Sequence, residues 1–175
     1  MSLNDSISAD LQAMRAAVGA AQQEAAAVDH AVEQIAARAV AAGFAGIAVG
    51  LGRVREVVGQ VRTRLTAAGG VLGEASRSVS AAPQQPSPQE TIGALTPVVA
   101  ALSSVDSAIA AATAGIEEAR RLATAALQGG QPGPTLARLQ QLGQTLATVK
   151  TRGSQARQHL DAALAQAKQV GDLGN

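Results

Sequence analysis

The chain has no cysteine, tryptophan or tyrosine, and its one phenylalanine stands at position 44. Without cysteine there is no disulfide, no thiolate metal site and no cysteine nucleophile, and the redox compartment stays open. With a single aromatic ring, any core must be built from small aliphatic layers. Net charge is nearly absent too. Fourteen basic and thirteen acidic residues leave +1, so no overall field steers the chain to nucleic acid or membrane. Met1 to Asp10 is polar and acidic, with neither a basic flank nor an apolar core, so no signal peptide is read there. The uncharged run Ala39 to Gly52 is too short and too glycine-rich to span a bilayer as a helix.

What is present is alanine, glutamine, valine and leucine in a helical rhythm. From Ile7 the apolar spacing alternates four and three: Ile7, Leu11, Met14, Val18, Ala21, Ala25, Val28, Val32, Ile35, Ala39, Ala42. This is an unbroken heptad seam, and Ser2, Asn4 and Ser6 offer capping oxygens at its start. Gly43-Phe44-Ala45-Gly46 interrupts it, and Gly43 suits the positive φ that ends a helix. The rhythm resumes at Ile47 and runs through Leu51, Val54, Val58, Val61, Leu65, Ala68, Leu72, Ala75 and Val79. Folded back at the bend, the two seams pair Ile35 with Val54, Ala25 with Leu65, Val18 with Leu72 and Leu11 with Val79. Large residues repeatedly face small ones, as close helix packing requires. The first helix is mainly acidic and the second mainly basic, which favours flank ion pairs between them.

Ala81 to Pro88 holds three prolines and no apolar rhythm, which predicts a linker. Ser87-Pro88-Gln89-Glu90 then predicts a capped helix start. The third seam runs Ile92, Leu95, Val98, Leu102, Val105, Ile109, Ala112, Ile116, Ala119, Ala123 and Ala126. Pro97 predicts a kink, or a restart capped by Thr96. A glycine–proline turn at 129–134 leads to a fourth seam from Leu136 to Val170, which mirrors the third. That mirror sets Gly153 opposite Ile109, as room for the larger side chain. Extra apolar residues at Val57, Val71, Val99, Leu122, Leu127 and Leu164 widen the stripes. The fold class expected is therefore all-α: two long antiparallel hairpins, 1–80 and 89–175, joined by the linker 81–88 and packed as an elongated four-helix bundle.

Chemistry is sparse. His30 and His159 lie beside the seams and are expected as solvated surface residues. Asp29, His30 and Glu33 could hold a metal weakly, but no second ligand cluster completes a site, so no metal or cofactor is expected. No serine or threonine has a basic neighbour in a nucleophile motif, and Gly43 to Gly52 does not end in the Lys-Ser or Lys-Thr of a phosphate loop. The expectation is a protein that is not an enzyme and binds no nucleic acid.

The bend itself is the candidate contact site, through Phe44, Gly46, Ile47, Val49 and Leu51. Two possibilities stand: Phe44 folds back over the end of the core, or the bend presents an apolar patch to a partner or a lipid. A helical hairpin with aromatic-x-Gly at its bend resembles the WXG superfamily of type VII secretion. Phe44-Ala45-Gly46 stands where that family has Trp-x-Gly. The likeness covers the first hairpin, and the tyrosine of the family's export signal is absent. It implies a non-catalytic helical interaction or scaffold protein, self-associating or pairing with another helical protein. The protein would be cytoplasmic, or exported without a signal peptide. The alternative is a lipid-surface or granule-coat protein whose amphipathic hairpins open onto an apolar surface.

Overall fold

The computed structural model describes residues 3–81, 87–130 and 132–173. It is all-α, with α1 at Leu3–Ala41, α2 at Ala45–Ser80, α3 at Pro88–Ala126 and α4 at Gly133–Leu173. At about 1.5 Å per residue each helix is on the order of 55–60 Å long. Helix α1 packs on α2 and α4, and α3 packs on the same two, while the diagonal pairs do not touch among the described residues. That ring of antiparallel neighbours is an up-down-up-down bundle. Both glycine turns lie at one end of it.

The seams account for the core. Ile7 through Val32 on α1, Leu51 through Val79 on α2, Leu95 through Ala123 on α3 and Leu139 through Ala167 on α4 are buried at their seam positions. Near the ends the pattern frays: Ile35, Ile47, Ile92 and Leu136 are half-buried, and Ala42 and Val170 are exposed. The buried residues of all four helices form one cluster, so the two hairpins share a single core. The flanking Val57, Val71, Val99, Leu122 and Leu164 pack against that cluster, which is what docks one hairpin on the other.

Glycine sets how closely the hairpins approach. A Cβ on Gly50 would come 2.7 Å from Ala126 Cβ, and one on Gly115 would come 2.7 Å from Val61 Cγ2. Both positions lie between α2 and α3, where the missing side chains let the helices come together. Gly153 does not make room for Ile109 as its seam position suggests. The atoms nearest its Cβ position are Met14 Cε on α1, at 3.3 Å, and Asp106 Oδ1, at 3.6 Å. The space is used across the α1–α4 contact, which a pairwise view of one hairpin leaves out.

Local signals hold at the ends. Gly43 has φ +84° and closes α1 in a Schellman arrangement. The Phe44 amide donates to the Ala39 carbonyl at 2.8 Å, and the Gly43 amide donates to the Val40 carbonyl at 3.0 Å. Ser87 caps α3: its Oγ accepts from the Glu90 amide at 3.3 Å, and its own amide donates to Glu90 Oε2 at 2.8 Å. These bonds, the backbone one foremost, hold the Glu90 carboxyl below the usual carboxylate range. Pro97 does not restart the helix. Helix α3 runs on past it, and Thr96 Oγ1 donates to the Ile92 carbonyl at 2.7 Å instead of serving as a cap. Pro97 and Gly93 are both exposed, so water can satisfy the carbonyl that the missing proline amide leaves free. Of the linker 81–88, residues 82–86 lie outside the described residues, as do Ser2 and Gln131.

Candidate docking surface

Part of the charged flanks is spent on the fold. Arg55 donates from Nε to Asp29 Oδ1 at 2.9 Å and stands 3.5 Å from Glu33, and Arg62 reaches Asp29 at 3.6 Å. The hydrogen bond to Asp29 is the main cause that raises the Arg55 pKa. The carboxylates that could have held a metal are therefore engaged by α2 arginines, and His30 pairs with Gln34 Nε2 at 3.0 Å. Among the described residues no group of three or more metal-ligating side chains comes together. In the second half Arg157 reaches Asp106 at 3.4 Å, matching the acidic–basic pairing of the first.

His159 is not merely solvated. Its Nδ1 lies 2.6 Å from Asp10 Oδ2, joining α4 to α1, and Asp10 is only 9% exposed. A carboxylate only accepts, so this nitrogen carries the hydrogen. Sequence reasoning missed the pair because the two residues are far apart in the chain and each stands alone on its helix. About four turns away on the same α1–α4 interface, Thr145 Oγ1 donates to Glu24 Oε1 at 3.0 Å, while Glu24 Oε2 is buried without a partner.

Among the described residues, three of the four large exposed apolar side chains, Val40, Phe44 and Val49, lie at the bend end, and the fourth, Val170, lies at the other. Phe44 is 59% exposed, so it does not fold back over the core, and Val49 is 63% exposed. Gly46 is exposed and Ile47 half-buried against the core. Leu51 does not belong to this surface: it is fully buried, because it is the first position of the α2 seam that faces all its neighbours. Val40, 63% exposed on the last turn of α1, joins the patch instead. Its signal was readable, as an apolar residue one step off the seam beside Ala39.

The start of α2 is also poorly capped. Phe44 occupies the N-cap position with φ −91° and ψ 63°, no side chain bonds the first amides, and the first turn holds no acid. A serine, threonine, aspartate or asparagine would satisfy those amides, so an exposed ring here is a local inconsistency in a chain that is otherwise locally consistent. A second surface feature, a shallow groove between α3 and α4 of about 640 Å³, is floored by Ile109 and Leu146 and edged by Asp106, Thr113 and Lys150.

Residues 86–172, which take in α3 and nearly all of α4, match a family of unknown function, DUF6244. The match spans just under half of the chain and covers the second hairpin. No curated protein and no solved structure matches the chain.

Proposed function

We propose that the protein is a non-catalytic helical docking and scaffold protein that meets its partner through the bend end of the bundle. The exposed Phe44 ring carries this reading, because it sits where a polar cap would suit the fold better and buries little against its own chain. The seams are already consumed, each facing its neighbours inside one core. Helix–helix pairing with a second copy or another helical protein is therefore left to the bend end and the outer faces. The WXG-like bend, Phe44-Ala45-Gly46, makes a secretion-associated hairpin part of the proposal.

The test is Phe44→Asp in the full chain. The substitution is expected to keep or raise the unfolding free energy, by up to about 1 kcal/mol, because an aspartate at this N-cap can accept from the first amides of α2. It should abolish self-association or partner capture, followed by light scattering and cross-linking. Association that survives Phe44→Asp unchanged would sink the bend-end reading. A second reading, the lipid-surface or granule-coat protein whose hairpins open, draws on α3, which is long and apolar enough to cross a membrane by length and composition. It requires loss of the shared core, so a cooperative thermal transition that persists in the presence of vesicles counts against it.

A further inference from the structure

We infer that the closed bundle stands end-on on an anionic lipid surface, with Val40, Phe44 and Val49 entering the headgroup boundary and nearby arginines meeting lipid phosphates. The inference rests on the bend-end docking proposed above and puts an anionic lipid surface in the place of the helical partner. Its first ground is charge. Residues 34–53 contain Arg38 and Arg53 and no carboxylate, and residues 119–140 contain Arg120, Arg121 and Arg138 and no carboxylate. These are the turns at the bend end. Arg38, Arg53 and Arg138 are exposed, and none is in an ion pair among the described residues. Arg120 and Arg121 pair with Glu117 and Glu118, the first acids met below them on α3. At the opposite end Asp5, Glu90, Asp161 and Asp172 outnumber Arg77 and Lys168. The rod is electrically polar although its net charge is only +1.

The second ground is area. Four helices with axes about 8–10 Å apart present an end face on the order of 400 Å². A stable protein interface needs about 800 Å² from each partner. A second copy offering its acidic end would match in charge but not in area, and that head-to-tail contact would not close. A lipid surface sets no such threshold, because binding accumulates with each inserted apolar side chain and each basic residue near the headgroups. Arg38 and Arg138 stand within about 8 Å of the end and Arg53 within about 13 Å, and arginine stems can lie along apolar surface while the guanidinium seeks phosphate.

The test is cosedimentation of the full chain with vesicles of phosphatidylcholine alone and of phosphatidylcholine with phosphatidylserine. Binding is expected on the phosphatidylserine vesicles and should weaken as salt rises. Each of Arg38→Gln, Arg53→Gln and Arg138→Gln should lower the partition about fivefold, and Phe44→Asp about tenfold or more. Arg77→Gln, at the far end, should leave it unchanged, and the thermal transition of the bound protein should persist. Absence of vesicle binding together with a Phe44-dependent oligomer would overturn the lipid partner and leave the docking reading standing. Neither vesicle binding nor Phe44-dependent association would overturn both. Binding that Arg77→Gln weakens as much as Arg38→Gln does would show the rod lying on its side, and would overturn the end-on geometry.

Discussion

At Gly115 a methyl group would meet Val61 Cγ2 at 2.7 Å and Val57 Cγ1 at 3.8 Å. Val61 is fully buried and stiff at χ1, so it cannot swing away. Gly115→Ala should therefore cost about 1–2 kcal/mol, with overpacking outweighing the gain in helix propensity. Gly70→Ala meets nothing within 4 Å on an exposed helix face and should gain about 0.5–1 kcal/mol. Denaturant titration of the two variants checks the pair, and equal shifts would show that α2 and α3 are not in close contact at Gly115. The same measurement separates the two ends of the apolar bend. Leu51→Ala should lose about 2–5 kcal/mol as a core truncation, whereas Phe44→Ala should change stability by less than about 0.5 kcal/mol. His159→Ala, which strips Asp10 of its partner, should cost about 1–3 kcal/mol. Leu51 and Phe44 were both legible in the sequence as residues of the bend, but which of them is buried was not, and Gly115 carried no signal of its tight contact. That depends on the helix across the interface, whose distance from a given residue no local pattern encodes.

Among the elements, α3 shows how far a local signal reaches. The Ser87–Glu90 box was readable because its two bonds lie within four consecutive residues. Ser87→Ala should lower stability by about 1 kcal/mol. The Glu90 carboxyl is held below its ordinary value in the folded chain. Its contribution is therefore present above the unfolded carboxylate pKa, about 4.3, and is lost as pH falls through the lowered folded value. Thermal melts below pH 4 should show Glu90→Gln and the parent converging relative to pH 7, and a difference that grows on acidification would refute this linkage. Between α1 and α2 the mirrored register predicts that Ala25→Leu overpacks the seam by about 1–3 kcal/mol, with Leu65→Ala recovering part of the loss in the double variant. Gln22 bonds Thr66, and Arg62 reaches Asp29, at positions close to that register. At Pro97 the helix continues instead of restarting. Pro97 lies inside α3, where the carbonyl of Gly93 that it leaves free is exposed to water, and that exposure was settled by the rotation of α3 in the bundle.

For the whole molecule, the single core predicts a single transition. Buried residues of α1 and α4, and of α2 and α3, cover one another across the hairpin boundary. Thermal unfolding followed by circular dichroism should be one cooperative step, and two separated steps would show independent hairpins. The sequence by itself determined the four helices, their seams, their order and the acidic–basic pairing within each hairpin. All of these follow from residues related by three, four or seven positions, or by reflection about a glycine turn, and such relations are written in the chain. Only the tertiary structure decided that α1 lies on α4 and α2 on α3, that Met14 fills the space beside Gly153, and that Asp10 meets His159. It also decided that Leu51 belongs to the core while Val40, Phe44 and Val49 stay outside it. The physical reason is the same in each case: those contacts depend on how each helix is rotated and how close its neighbours come, which the packing of all four seams fixes together.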